Sequence, residues 1–463
     1  MKRHRGSIFW SLVLISIGVL FLLSNLNVEI RPWLVVARYW PVLIIFWGLS
    51  KLLSYFSSEE DSVVTGRSSL TGGDIVLLIF LLILGTAISK VVGFDFVSWP
   101  KDSLGIDIGD PDIEIFGEPK NTFTFIEEAS QPLTKKDGVL EILNKYGSVD
   151  INTHNLPAVR IRVEKKIKAR EESKAKELAA ALRIRINSKP QGYTISTNRD
   201  EFDKEKTQNI QTNLSIWVPK STQLAVSNKY GTVSLSGVSG YHTLANGYGA
   251  TKVSNVDGGL HIENQYGSIN VTNLTGQCEV TNKYGSIELD SIGGKTQIEN
   301  GYGSIVLKKI RGPIQLIHKY GKVDCVDLDS TLNVDGRYVE IRGVNIGGDV
   351  QIITSYKNVD LENVQGAMTI QGKHGDINIK DVQPPSKPIK VESEYSAVTI
   401  TLPRNSRFQF DAYSKYGKLV SEFESLGGAT SSEFGSRIKG SHGQGGPLIT
   451  VNTSYRDISL NAS

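Results

Sequence analysis

The sequence predicts an all-β single-stranded β-solenoid with 18-residue coils of two short strands each. One α-helix is inserted into it, and an α-helical transmembrane region precedes it. Three observations predict this. First, Tyr230, Tyr248, Tyr266, Tyr284, Tyr302, Tyr320, Tyr338 and Tyr356 recur at a spacing of 18 residues, and His374 continues the series. Second, aliphatic and polar residues alternate on both sides of each tyrosine, the period of a strand with one buried face. Third, most long apolar runs lie before residue 92, and the remainder is polar, β-branched and rich in glycine.

The N-terminal region, residues 1–95, is expected to carry membrane helices at 7–27, 33–50 and 74–93. Lys2, Arg3 and Arg5 precede an uncharged stretch, 6–28, long enough to cross a hydrocarbon core of about 30 Å. Its end lacks the small-x-small site of a cleaved secretory signal, so a retained helix is expected. The second segment is interrupted by Arg38 and Pro41, and its aromatics Trp33, Tyr39, Trp40 and Trp47 suit membrane interfaces. Arg38 there, and Lys90 in the third segment, would have to snorkel. Three spans with the basic N-terminus inside place the rest of the chain outside the cytoplasm. If the Arg38 segment lies in the interface instead, the large domain faces the cytoplasm.

Residues 96–135 read as a linker whose strands the pattern leaves undefined, and 136–463 as the solenoid. Counting from tyrosine as zero, aliphatics fall at plus three and plus five (Ile269 and Val271, Ile287 and Leu289). They recur at plus eight (Leu274, Ile292), plus twelve and plus fourteen (Leu260, Ile262). Glycine follows the tyrosine (Gly267, Gly285, Gly303) and recurs at plus ten (Gly258, Gly276, Gly294). Coils of this kind stack in register at roughly 4.8 Å, which turns equivalent residues into columns. Regular coils are expected over 228–380 and irregular ones over 381–463, with 427–447 as a flexible insertion before a final strand. Upstream, Tyr146 stands 84 residues before Tyr230. The helix formers between them predict one helix at about 164–184, with Ala169, Ala175, Leu178 and Leu182 on one face.

The repeats, the helical insertion and the run "IWVPKSTQLAVSNKYGTVSL" together resemble the bacterial putative-adhesin, or toastrack, β-solenoid family, over about residues 138–460. The stretch "RGSIFWSLVLISIGVLFLLSNL" followed by "YWPVLIIFWGL" looks like the membrane region of Lia-type cell-envelope stress proteins. The third apolar segment departs from the usual two-helix unit. The resemblance implies a bacterial membrane protein, multi-pass, with the solenoid outside the cytoplasm and linked to stress sensing or adhesion. It brings no catalytic motif, so no residue inherits a role.

The tyrosine column, Tyr230 to Tyr356, is the candidate interaction site. Stacked aromatics could bind sugar rings; the competing reading is a ladder stacked on its own copies. An asparagine column (Asn228, Asn246, Asn264, Asn282, Asn300) precedes it and would form amide ladders and satisfy turn backbone groups. His154, His242, His261, His318 and His374 show no metal-ligand spacing, and Cys278 and Cys325 stand at aliphatic positions of different columns. No metal, cofactor or catalytic residue is expected. Acidic pairs such as Asp110 with Asp112 or Glu127 with Glu128 could be imagined as glycosidase carboxylates, but they read as solvated strand faces. A net charge of +3 gives no case for nucleic acid, and two cysteines exclude a disulfide-dense scaffold. The expected partners are the lipid bilayer, envelope proteins or cell-wall glycan, and a second copy of the chain. Three functions follow in order: a non-enzymatic envelope interaction surface, a scaffold that assembles through open terminal coils, and a solenoid that binds or cleaves glycan.

Overall fold

Strand pairing follows the tyrosine period residue for residue. Thr251 pairs with Ile269, Ile269 with Ile287, Ile287 with Ile305, Ile305 with Val323 and Val323 with Ile341, all in parallel. These registers come from a computed structural model that describes residues 121–133, 138–202, 209–433 and 435–463, all within the unit Phe116–Ser463. The three expected membrane segments lie outside the described residues. Among the described residues, no helix is long and apolar enough to cross a membrane.

Burial obeys the columns. Ile287 and Leu289 are fully buried, Glu288 between them is partly exposed, and one continuous core runs from Leu140 to Leu460. Cys278 and Cys325 are buried in it as free thiols, and burial pushes both up to about 12. The glycine after the tyrosine, present in the coils of Tyr230 to Tyr320, marks where successive coils nearly touch. Gly267 has φ of 142°, and a Cβ there would lie 2.1 Å from the carbonyl oxygen of Gly249.

A second column escaped the sequence pattern. Asn255, Asn273, Ser291, Lys309, Asp327, Asn345 and Asn363 all adopt left-handed φ, between 52° and 61°. Each sits just before the aliphatic at plus eight and re-aims the chain, so Leu274, Ile292 and Ile310 point inward after a gap of three. Asn and Asp tolerate this conformation, but Ser291 and Lys309 adopt it too. The coil geometry, not the residue type, therefore imposes it.

Both ends depart from sequence order. At the N-terminal end the elements are β1 (Asn121–Pro132), β2 (Val139–Tyr146), β3 (Val149–His154), β4 (Ala158–Ala169), α1 (Glu172–Ala181), β5 (Ile184–Lys189), β6 (Gly192–Thr197), β7 (Ile210–Pro219), β8 (Gln223–Tyr230) and β9 (Val233–Ser236). Strand β2 lies between β6 and β8, and β3 between β7 and β9, all parallel. The first coil in sequence is thus second in space. The outer coil is then covered by antiparallel strands, β5 on β6, β4 on β7 and β1 on β4.

The C-terminal end repeats the device. Strands Leu448–Thr453 and Ile458–Ala462 insert between the coil of Ile389–Ser393 and Val398–Leu402 and that of Phe408–Ser414 and Leu419–Ser421. Strand Gly435–His442 then runs antiparallel on Phe408–Ser414. Phe408 and Phe423 meet edge to face, with centroids 5.1 Å apart, and His442 closes over Phe423 at 4.8 Å.

Four expectations are corrected. Residues 164–169 belong to strand β4, and the helix is only Glu172–Ala181. Val159, Ile161, Val163, Ile167 and Ala169 are buried at a period of two, and that burial outweighs the helix propensity of the charged residues between them. Lys165 shares that inward row; its ammonium donates to the carbonyls of Ala179 and Leu182 and pairs with Glu127 at 2.6 Å. The 96–135 linker contains β1, a 12-residue strand, and Phe123 and Phe125 on it pack with Ala175 and Leu182. The 427–447 insertion contains the capping strand Gly435–His442. Finally, the terminal coils are largely covered: antiparallel strands lie on β6 and β7 at one end and on Phe408–Ser414 at the other, and only Leu419–Ser421 lacks an outer partner among the described residues.

Candidate functional site

The tyrosines form one ring stack. From Tyr146 through Tyr230, Tyr248, Tyr266, Tyr284, Tyr302, Tyr320, Tyr338, Tyr356, His374 and Tyr395 to Tyr455, neighbouring centroids are 4.4–5.1 Å apart and planes within 15° of parallel. Tyr416 stacks on Tyr455, so the spatial order at this end is 395, 455, 416. Tyr146 joins Tyr230 across the 84 intervening residues because β2 and β8 are neighbours.

This geometry decides between the two readings of the column. A sugar stacks on the face of an aromatic ring, and here the faces are already occupied by the next ring. At one end Arg199 lies over Tyr146, 4.3 Å from the centroid, and at the other Tyr416 covers Tyr455. The tyrosines present edges and hydroxyls, with about 36–44% of most side chains exposed. The column is a structural ladder with a wettable edge.

The asparagines behind it work differently from simple amide ladders. The amide nitrogens of Asn228, Asn246, Asn264 and Asn282 donate to the carbonyl of the glycine three residues on, for example Asn246 to Gly249 and Asn264 to Gly267, both at 3.2 Å, whereas Asn300 donates to Gly285 of the preceding coil. They hold the bend after the tyrosine. His318 replaces asparagine in this column, with its ring nitrogens 3.1 and 3.0 Å from the carbonyl oxygens of Asn300 and Gly303.

What differs between coils is the outward face beside the tyrosines, and there a groove of about 1000 Å³ opens. One wall is the segment 196–201, which follows β6. Asn198 fixes it by accepting from the Arg183 amide at 2.7 Å and donating to the Ala181 carbonyl at 3.0 Å. Ion pairs from Lys145 to Asp200 and from Arg185 to Glu201 tie it to the solenoid and to β5. Arg199 is buried beneath this wall, and loss of solvation pulls its guanidinium below the ordinary arginine range, with Tyr146 and Asp200 opposing. The floor is low because Ala245 and Gly247 stand where neighbouring coils carry Glu263 and Gln265. Lys229, Lys283 and Lys319 and the carboxylates Glu263 and Glu299 line its length. The sequence contained this signal, small residues at two outward columns of one coil, but the roofing segment comes from β6 and was not foreseen.

The remaining candidates are not brought together. His154 contacts the Trp217 carbonyl, His261 bridges Glu263 and Glu279, His374 sits in the ring stack, and His242 is buried in an aliphatic column between Leu224 and Leu260. Among the described residues no cluster could hold a metal ion. Glu127 and Glu128 are successive strand residues on opposite faces, and Glu127 is paired with Lys165, so they cannot flank one glycosidic bond. Asp110 and Asp112 lie outside the described residues.

Comparison with known proteins bears on two parts of the chain. Residues 8–52 match the LiaI-LiaF-like transmembrane region, and residues 326–461 match the toastrack family DUF4097. Neither is an enzyme family. No curated protein is significantly similar. A crystal structure of a "putative cell adhesion protein" from Clostridium sporogenes is similar at 10% identity and a TM-score of 0.18, covering 74% of this chain and 100% of that one. A "putative adhesin" from Bacteroides fragilis is similar at 12% identity and a TM-score of 0.19, covering 60% and 96%. The chain therefore carries a match to the LiaI-LiaF-like transmembrane region at residues 8–52 and a β-solenoid whose residues 326–461 match the toastrack family.

Proposed function

We propose that this is a multi-pass membrane protein of the bacterial envelope that holds a rigid, non-enzymatic solenoid outside the cytoplasm as an interaction surface for envelope-stress signalling or adhesion. The observation that carries the reading is the pairing, on one chain, of a match to a Lia-type membrane region with a solenoid whose groove is lined by lysines, carboxylates and asparagines without convergent catalytic groups among the described residues. The antiparallel strands on β6, β7 and Phe408–Ser414 favour display over coil-on-coil polymerisation, since they leave only the short strand Leu419–Ser421 without an outer partner among the described residues.

Protease added to intact cells tests the topology. Cleavage within the solenoid without lysis is expected; cleavage only after lysis would sink the reading. A chain reduced to residues 1–120 is expected to keep its membrane location and lose the stress response or adhesion that the full chain supports.

A further inference from the structure

We propose that the groove beneath the segment 196–201 binds a linear, uncharged oligosaccharide laid along the solenoid axis. This deepens the interaction-surface reading and rests on it for biological meaning. The groove passes over the coils of Tyr146 to Tyr320, so at ~4.8 Å per coil it is roughly 30 Å long and suits an elongated occupant. Its chemistry repeats along that length. Lys229, Glu263, Lys283, Glu299 and Lys319 succeed one another with alternating sign, after Lys145 and Arg185 have been neutralised by Asp200 and Glu201. A polyanion or a polycation would meet repulsion at every other step. A chain that offers both donors and acceptors at each unit, without charge, meets a partner at every step.

Two alternatives are excluded by geometry. An extended peptide usually adds to a free sheet edge, but the strands flooring this groove are paired on both sides, as the strand Ser239–Tyr248 is with β8 and its successor. Aromatic stacking is unavailable because the ring faces are occupied. Recognition is left to hydrogen bonds donated by lysines, accepted by carboxylates, and exchanged with the hydroxyls of Ser196, Thr197, Ser227 and Thr281, a set suited to sugar hydroxyls. Affinity from such contacts alone, in an open groove, is modest.

The test is titration of the full chain in detergent with chitohexaose, followed by saturation-transfer NMR and calorimetry. A millimolar or tighter Kd is expected. Ala245→Arg fills the groove at an outward position where the coils of Tyr266 and Tyr302 already carry glutamate, and should weaken binding at least about tenfold. Thr281→Arg, at the same position two coils on, should do the same, so misfolding of one variant does not decide the matter. Ile353→Arg occupies the equivalent position beyond the groove and should leave binding unchanged. No binding of chitohexaose, binding by both groove variants as tight as by the unsubstituted chain, or binding of dextran sulfate alone would overturn the inference. Cell-surface protease cleavage without chitohexaose binding would remove the ligand assignment and leave the display reading standing.

Discussion

Between Tyr248 and Tyr356 a residue's environment is set by its column, whereas at both ends the chain abandons column order to close an edge. In the middle each coil copies its neighbour, so one substitution repeats a known environment. At Tyr338 the columns even exchange roles: Val339 takes the glycine position, Gly336 takes the asparagine position, and the valine fills the space above it. The ends use unrelated parts for one purpose. The N-terminal cap is a helix with three antiparallel strands, and the C-terminal cap is a short strand over an aromatic plug. Repetition supplies stability in the interior; at the ends stability has to be specified residue by residue.

The largest expected effect breaks the interior. Ile287→Asp buries a carboxylate among Ile269, Ile305 and Leu289, and should abolish cooperative folding, seen as loss of the thermal transition. Next comes the C-terminal plug, where Phe408→Ala should cost about 3–5 kcal/mol. If the ends are separate closures, hydrogen exchange will quicken first in residues 408–442 and leave the coils of Tyr266 to Tyr320 protected. Uniform quickening would show that cap and interior unfold as one.

Acid sharpens the comparison, because two buried groups, His242 and Asp381, respond to it with opposite sign. Burial without a partner holds His242 down to about 4, so its stability contribution is complete above pH 6.5 and is lost as pH falls toward 4. Burial raises Asp381 to about 6 despite its bonds from the backbone of Val364 and Asn363, so its contribution is complete below pH 3.8 and is lost as pH rises through 6. Each effect is at most about 3 kcal/mol. His242→Leu should stabilise the protein most at acid pH and Asp381→Asn most at neutral pH, as read from denaturant midpoints across that range. Smaller still, Asn264→Ala should cost about 1 kcal/mol by removing the shorter of the two amide bonds to the Gly267 carbonyl, which keeps the one from Asn282. Glu288→Lys, on the outward face of the Ile287 coil, should leave the melting temperature unchanged.

The interior was legible because its constraint is local and repeated. A tyrosine, a glycine and alternating aliphatics at a fixed interval leave one register. The left-handed column was hidden, since Ser291 and Lys309 carry no residue-type signal for it. The caps were hidden for another reason: strand β4 is rich in lysine and arginine and reads as helix until its partners β1 and β7 are known. The groove lay between these cases. Ala245 and Gly247 marked its floor in the sequence, but nothing local announced that residues 196–201 would roof it.

The clamped terminal coils also bear on force. A protein strung between a membrane and something outside it is pulled along its chain. Tension at the C-terminal residue cannot peel the solenoid coil by coil, because residues 448–462 are gripped on both flanks and both rows of hydrogen bonds must fail together. At the other end the load first meets β1, zipped along its 12 residues to β4. Force applied across the solenoid should therefore release β1, paired on one side by β4, before residues 448–462, paired on both.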